Sequence, residues 1–192
     1  NLANMRRFLD SQKLKQPLCT EETGEGTTND HQQLVTLFQK VIRSRVAGLK
    51  LFHWYNLRNC GFDPGNREHN FGLLEHDLNP RAGFVTFHML SALYGNAVFL
   101  RQESSWKNCF AARFESPDSA LYAVWLEKRD QQKTLVQFES NAERIELIDL
   151  FGNVTKIHPE EGRFRILLDS NGQTLRLSPA NAALKAPREV LA

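Results

Sequence analysis

The chain has 192 residues, of which 41% are hydrophobic and 24% are charged, a composition that is ordinary for a globular protein of one or two domains. Its formal net charge is only +2, and no more than two basic residues stand in a row, which excludes the usual basic surface of a nucleic-acid-binding protein. No segment approaches the roughly 20 apolar residues of a membrane-spanning helix, so a membrane span is excluded as well.

The chain opens on a predicted helix, "NLANMRRFLDSQKL", whose apolar residues recur at mostly helical spacing. Because no initiator Met and no leader-like segment precede it, we expect the natural N terminus to lie upstream of residue 1. The next segment, "QPLCTEETGEG", predicts a short strand that ends in the adjacent acids Glu21 and Glu22. Since neighbouring like charges repel, these acids either line a solvated loop or present a carboxylate for chemistry.

The following residues predict a helix, a second strand and another helix. Residues 31–47 have apolar positions near a period of 3.6, with Asp30 and Gln33 as a capping box and Gly48 as the C-terminal stop. "LKLFHWYN" is short and almost continuously apolar, which is typical of a strand buried on both faces of a parallel sheet. After a long loop, "NPRAGFVTFHMLSALYG" predicts a helix with Pro at its first position.

This alternation predicts βαβ units, with parallel strands near 17–22 and 49–55. From about residue 108 the hydrophobic period changes to two, and turn-prone stretches such as "SPDS", "PEEG" and "SNGQ" separate six short candidate strands. This pattern predicts an antiparallel β-domain over 108–180, a sandwich or a small barrel, without helices. The boundary falls within 97–108, where "VFLRQESSWKN" has no clear period.

Three motifs stand in order along the first half of the chain: "PLCTEETG", "LFHWYNLRN" and "GFDPGNREHNFGLLEHDLNPRAGFVTF". They resemble the last two β/α units of the retaining glycoside hydrolases with (β/α)8 barrels, close to family 39. The resemblance implies an α/β plus all-β fold, in which the last two β/α units of a TIM barrel are followed by a small antiparallel β-sandwich. The implied ranges are 1–100 for the barrel portion, 105–182 for the sandwich and 183–192 for a tail.

The resemblance also implies site residues. In the family pattern P-x-x-x-T-E-x-G the Glu is the nucleophile, and counting from Pro17 places Glu22 on that position, with Glu21 as its neighbour. Trp54 falls on the residue that stacks beneath the sugar ring. The side chain of His53 alternates in direction with that of Trp54, so we expect it to face the helices and to be structural.

The second catalytic group is expected outside the chain. Retaining glycosidases need two carboxylates about 5 Å apart, one as nucleophile and one as acid/base. In the resembled enzymes the acid/base Glu follows an Asn at the end of the fourth strand, which would lie upstream of residue 1, and this chain contains no Asn-Glu dipeptide. We therefore expect the chain to hold at most half of the catalytic pair and to be inactive alone.

The chain departs from the family pattern in three places. Glu21 stands where the family has Thr, and Asn56 stands where it has Asp, so the substrate chemistry is expected to differ in detail. Pro80-Arg81-Ala82 stands where the family has P-K-P, and this change is expected to be neutral because it falls on the helix.

Other motifs favour structural roles. Glu68 and His69 are adjacent on a loop and are not expected to converge on one ion, and "GEGTT" lacks the Lys-Ser/Thr of a phosphate loop, so neither a metal nor a cofactor is expected. Asp149 and Asn153 are expected to form a turn. The cysteines, at positions 19, 60 and 109, form no C-x-x-C pair and are expected to be buried thiols.

Two interpretations of function follow. The first is hydrolysis of O-glycosidic bonds by a retaining mechanism, with an oligosaccharide or glycoside as substrate and the missing N-terminal barrel portion as structural partner. The second is a non-catalytic carbohydrate-binding or interaction protein that keeps a degenerate barrel remnant. An upstream reading frame with six further β/α units and an Asn-Glu pair favours the enzyme, whereas a start codon close to Asn1 favours the remnant.

Overall fold

The chain divides into two units, Asn1–His88 and Met89–Ala192. The structure, a computed structural model, describes residues 2–127, 133–179, 182–185 and 188–190. Helices and short parallel strand contacts make up the first unit, and the second consists mainly of antiparallel sheet. The predicted combination of helix and antiparallel sheet is therefore present.

Three α-helices lie where the sequence predicts them: α1 (Leu2–Ser11), α2 (Asp30–Val46) and α3 (Ala82–Tyr94). A short 3₁₀ helix, Arg67–Asn70, lies in the long loop between α2 and α3. Among the described residues, no helix has both the length and the apolar character needed to cross a membrane.

The N terminus of α2 differs by one residue from the prediction. Asn29, not Asp30, is the N-cap, and its side-chain oxygen accepts a hydrogen bond of 3.0 Å from the Gln32 N–H. Gln33 is fully buried and donates through Nε2 to the Gly72 carbonyl at 3.0 Å. Gln33 therefore joins α2 to the following loop instead of closing a capping box.

The two predicted strands of the first unit run parallel, as expected, but they pair only at isolated bridges. Cys19 pairs with Leu51, and Thr23 pairs with Trp54. A backbone hydrogen bond of 2.9 Å from the Tyr55 N–H to the Thr23 carbonyl extends the second contact. The first segment has one residue more than the second between the two bridges, so it bulges there and interrupts the ladder.

Nine strands of the second unit are described: β1 (Val98–Gln102), β2 (Cys109–Glu115), β3 (Ala120–Leu126), β4 (Thr134–Phe138), β5 (Ile145–Ile148), β6 (Val154–Ile157), β7 (Phe164–Leu168), β8 (Gln173–Leu177) and β9 (Arg188–Val190). One sheet has the order β1-β2-β3-β8-β5-β6, and the other has the order β7-β4-β9. All of these strand pairs are antiparallel. The described residues within 120–178 contain no helix, as predicted.

The two sheets share one hydrophobic core. Tyr122 of β3 and Leu175 of β8, in the larger sheet, belong to the same buried cluster as Val136 of β4 and Ile166 of β7 in the smaller sheet. Every residue of β3 is buried, and its Trp125 is only 1% exposed. The strand β7 alternates buried and exposed residues, which is the period of two that the sequence shows.

The sequence did not predict β1 or β9. Four of the five residues of β1 are exposed, and β1 lies at an edge of its sheet, so its sequence has no alternation of apolar and polar residues. The strand β9 lies within the predicted tail and pairs with β4. Both strands are short and lie at sheet edges. Edge strands show the weakest alternation of apolar and polar residues, so the sequence shows little sign of them.

A turn joins β5 to β6. Asp149 accepts hydrogen bonds of 2.9 Å from the backbone N–H groups of Phe151 and Asn153, and a third of 2.9 Å from the Asn153 side chain. Gly152 has a φ of 87°, a region that glycine adopts without strain. The predicted turn role of Asp149 and Asn153 is therefore confirmed.

The cysteines differ from the prediction. Cys19 and Cys60 are exposed and Cys109 is half-buried, so the expectation of buried thiols is wrong. Cys19 pairs with Leu51, which is itself 48% exposed. This part of the strand pair is therefore open to solvent on the side of both residues. The three cysteines, all within the described ranges, form no disulfide bond.

Candidate functional site

Glu22 lies at the interruption between the two parallel segments. It directly precedes Thr23, which forms the second bridge. Glu21 and Glu22 are both exposed. Because their exposure avoids the cost of burying two neighbouring carboxylates, either acid is open to a ligand.

Glu22 and Tyr55 each adjoin a residue of the second bridge. Thr23 and Trp54 are paired in that parallel bridge, with Glu22 directly before Thr23 and Tyr55 directly after Trp54. Glu22 and Tyr55 therefore lie at the same end of the paired segments.

The Tyr55 ring packs edge-on against the Phe71 ring, with 5.4 Å between centroids, and its phenol lies near ionisable groups. The pKa of the phenol is raised above the ordinary value, first by the negative charge of Cys60 as a thiolate and then by desolvation. The carboxylates of Glu68 and Glu22 raise this pKa further, because negative charges disfavour the phenolate. The Asn56 side chain donates to Cys60 Sγ at 3.2 Å. The phenol of Tyr55 is therefore within electrostatic reach of Glu22.

Trp54 contacts both α2 and the loop that carries Phe71. Its indole N–H donates to the Phe71 carbonyl at 3.1 Å. The Lys40 ammonium group lies 5.9 Å from the centroid of the Trp54 ring and donates to the Gly24 carbonyl at 2.6 Å. The ring is half-buried. The structure therefore brings Glu22 and Trp54 to the same end of the paired segments.

His53 does not face the helices. It is exposed, and the adjacent Trp54 takes the α2 side. The His53 backbone N–H donates to the Thr20 hydroxyl at 3.0 Å, and Nδ1 bonds to the Thr20 carbonyl at 2.9 Å. The expected orientation of His53 is wrong, because alternation determines which residues share a face but not which face meets the helices.

Glycine is required after Glu22 because the backbone there touches the following loop. A Cβ atom at Gly24 would clash with the Tyr55 carbonyl and would lie 2.8 Å from the Phe71 ring. At Gly26 a Cβ atom would lie 2.7 Å from Arg67 Cγ. The segment after Glu22 therefore packs directly against the loop that carries the 3₁₀ helix.

Replacing Gly24 with alanine is expected to lower the free energy of unfolding by about 1–3 kcal/mol, the usual cost of overpacking. Urea-induced unfolding of the wild type and the variant measures this difference. Gly65→Ala is the matched control, because a Cβ atom there would meet only the Asp63 side chain, at 3.3 Å. Equal losses in the two variants would contradict the close approach at Gly24.

Arg81 has a structural role that the sequence analysis missed. It is 4% exposed. Its Nε and Nη2 donate to the Asp30 carboxylate at 3.0 and 2.9 Å, and Nη2 also donates to the Thr27 carbonyl at 2.7 Å. Its Nη1 donates to the carbonyls of Asn70 and Gly72 at 3.1 and 3.3 Å. One buried guanidinium therefore joins the start of α2 to the loop before α3.

Glu68 and His69 form hydrogen bonds within the loop. The Glu68 backbone N–H donates to the Asn66 side chain at 3.1 Å. His69 Nδ1 accepts a hydrogen bond of 3.2 Å from the Asp63 N–H. Within the described ranges, no group of three His, Cys, Asp or Glu side chains is placed to hold a metal ion.

Comparison with solved structures confirms the resemblance at the level of fold. A family 39 glycoside hydrolase from the gut symbiont Bacteroides cellulosilyticus WH2 matches with a TM-score of 0.77 and 24% identity, over 92% of this chain and 38% of that one. A GH30 endoxylanase from Clostridium papyrosolvens C71 has a TM-score of 0.65 and 10% identity, over 94% and 46%. The GH30 subfamily 8 xylanase Xyn30A from Clostridium acetobutylicum has a TM-score of 0.60 and 13% identity, over 91% and 45%.

The chain spans less than half the length of each of these structures. No protein-family model matches the sequence, and no curated protein matches it. At these identities the likeness establishes a fold shared with a portion of glycoside hydrolases.

Proposed function

We propose that this chain is the C-terminal part of a retaining glycoside hydrolase in which Glu22 is the nucleophile. The observation that carries the proposal is an exposed carboxylate at the end of a parallel strand pair, in a chain with the fold of glycoside hydrolases. The chain spans 38% of the family 39 structure that it resembles, and the acid/base carboxylate is assigned to the remainder.

In this mechanism the Glu22 carboxylate attacks the anomeric carbon and forms a covalent glycosyl–enzyme intermediate. The acid/base carboxylate, outside this chain, protonates the departing glycosidic oxygen. The same group then removes a proton from water, which attacks the anomeric carbon and releases Glu22. Because each step inverts the anomeric centre, the product keeps the configuration of the substrate.

The proposed architecture is the last two β/α units of a TIM barrel over 1–100, a β-sandwich over 105–182 and a tail over 183–192. Parallel bridges separated in sequence by α2 support the barrel units. Two antiparallel sheets with one common core support the sandwich. The proposed partners are a carbohydrate substrate and the N-terminal barrel portion, which would cover apolar residues such as Leu51.

We retain Trp54 as a proposed substrate-binding residue. Its N–H is already bonded to Phe71, and the Lys40 ammonium lies over one side of the ring. A sugar would therefore meet the remaining ring surface and would not bond to the indole N–H.

In the full-length protein, Trp54→Ala is expected to raise the KM for an aryl glycoside about tenfold with a smaller change in kcat, because the stacking surface is lost. Trp54→Phe keeps an aromatic face and is expected to recover most of the affinity. Steady-state kinetics of the three proteins measure both constants. An unchanged KM in both variants would remove Trp54 from the substrate site.

The proposed function is tested by the stereochemistry of the product. The full-length protein is incubated with 4-nitrophenyl xylosides and glucosides of both anomeric configurations, and proton NMR records the first anomer released. Retention of configuration is the expected result. Release of the inverted anomer would contradict the covalent mechanism, and absence of hydrolysis with every glycoside would contradict the enzyme assignment.

A further inference from the structure

The contact between His53 and Thr20 sets the orientation of the imidazole ring. The Thr20 hydroxyl accepts the His53 backbone N–H at 3.0 Å, and His53 Nδ1 lies 2.9 Å from the Thr20 carbonyl oxygen. These two hydrogen bonds lie where the parallel ladder is interrupted. The ring is therefore attached to the segment that carries Glu22.

This contact also determines the tautomer of His53. A carbonyl oxygen only accepts hydrogen bonds, so Nδ1 carries the proton. In the neutral ring Nε2 then has a lone pair and acts as an acceptor. His53 is exposed, and within the described part of the chain no hydrogen bond occupies Nε2. The ring therefore presents an oriented acceptor to solvent.

The acceptor lies close to the candidate nucleophile. Thr20, which bonds to both the backbone and the ring of His53, stands two residues before Glu22. Glu22 is also one of the charges that raise the pKa of the Tyr55 phenol, and Tyr55 stands two residues after His53. A ligand that brings a carbon atom to Glu22 thus has an imidazole acceptor and a phenol nearby.

We propose that His53 is a specificity-determining residue, which accepts a hydrogen bond through Nε2 from a hydroxyl of the sugar bound at Glu22. The inference rests on the proposed glycosidase function and deepens it. The ligand is a pyranose with a hydroxyl directed at the His53 ring. Tyr55, whose O–H both donates and accepts, is the neighbouring polar group for a second hydroxyl.

Two amide variants separate the roles of the two ring nitrogens. His53→Asn offers an N–H close to the position of Nδ1 and no atom at Nε2, so it keeps the bond to Thr20 and loses the sugar contact. His53→Gln reaches the position of Nε2 and loses the bond to Thr20. In the full-length protein, the first is expected to raise KM about tenfold at an unchanged unfolding temperature. The second is expected to lower the unfolding temperature and to keep KM within about threefold of wild type.

Binding is measured separately from turnover. Full-length protein labelled with ¹⁵N-histidine is titrated with xylobiose and with cellobiose, and long-range ¹H–¹⁵N spectra report the state of each ring nitrogen. The expected result is a protonated Nδ1 and an Nε2 resonance that moves with at least one sugar. A protonated Nε2 in the neutral ring, an unmoved Nε2 with both sugars, or a wild-type KM for His53→Asn overturns the proposal. Failure to hydrolyse any aryl glycoside defeats the proposed function, whereas the Nε2 titration decides the assignment of His53.

Discussion

Replacing Glu22 with alanine in the full-length protein is expected to reduce hydrolysis of an activated aryl glycoside by about 10⁴-fold or more. The loss is expected because the variant lacks the carboxylate that is proposed to form the covalent bond to the anomeric carbon. Azide is expected to restore part of the activity, since a small anion can occupy the space of the missing carboxylate and attack in its place. The glycosyl azide that forms should have the anomeric configuration opposite to that of the substrate, and NMR of the product measures this configuration.

Glu21→Ala is the matched control, because Glu21 is also an exposed acid and stands at the adjacent position. It is expected to keep most of the activity. If Glu22→Ala were fully active, the nucleophile assignment would be wrong. If Glu21→Ala were instead inactive and rescued by azide, the nucleophile would be the first acid of the pair.

Arg81→Ala is expected to destabilise the first unit by about 3–5 kcal/mol, the usual cost of removing one partner of a buried, hydrogen-bonded charge network. The guanidinium donates to the carbonyls of Thr27, Asn70 and Gly72 and to the Asp30 carboxylate. Its removal takes a donor from each of these groups, although the Asn70 and Gly72 carbonyls keep the Thr27 N–H and Gln33 Nε2 as donors. Its Nε also lies 3.4 Å from Glu75 Oε1. Urea unfolding, followed by hydrogen exchange of amides within residues 2–88, measures the loss in this unit.

Arg81→Lys tests the role of the forked guanidinium. A lysine keeps the charge but cannot donate to all of these acceptors, so its loss in the free energy of unfolding is expected to be smaller than that of Arg81→Ala. Arg165→Ala is the exposed control. Arg165 forms a 3.0 Å ion pair with Glu160 at the surface, and its removal is expected to change stability by less than about 1 kcal/mol. A similar effect of Arg81→Ala and Arg165→Ala would contradict the role assigned to Arg81.

The spacing of apolar residues predicted the helices and strands that bury one side against the rest of the fold. The helical spacing of 31–47 and the alternation of β7 each record a face that packs within the fold, so both were found in the sequence. The cap of α2 was displaced by one residue, because Asn29 and Asp30 are both good capping residues and only the backbone decides between them.

The role of Arg81 could not be predicted, because its partners are mostly backbone carbonyls on two distant segments. Such contacts are independent of residue type and leave no pattern in the sequence. For the candidate site, the sequence established that His53 and Trp54 alternate. Which of the two meets α2 depends on the bulge and on the contacts of Lys40 and Phe71, which are tertiary.

In a protein limited to residues 1–192, tryptophan fluorescence can report ligand binding without a label. Trp54 is half-buried and is the single tryptophan of residues 1–88, whereas Trp106 and Trp125 are 4% and 1% exposed in the second unit. Emission at long wavelengths, and the part of the fluorescence that iodide quenches, should therefore report Trp54 selectively. Changes in these signals on adding a sugar would follow occupancy of the first unit without any attached dye, while the signal of the buried pair serves as an internal reference.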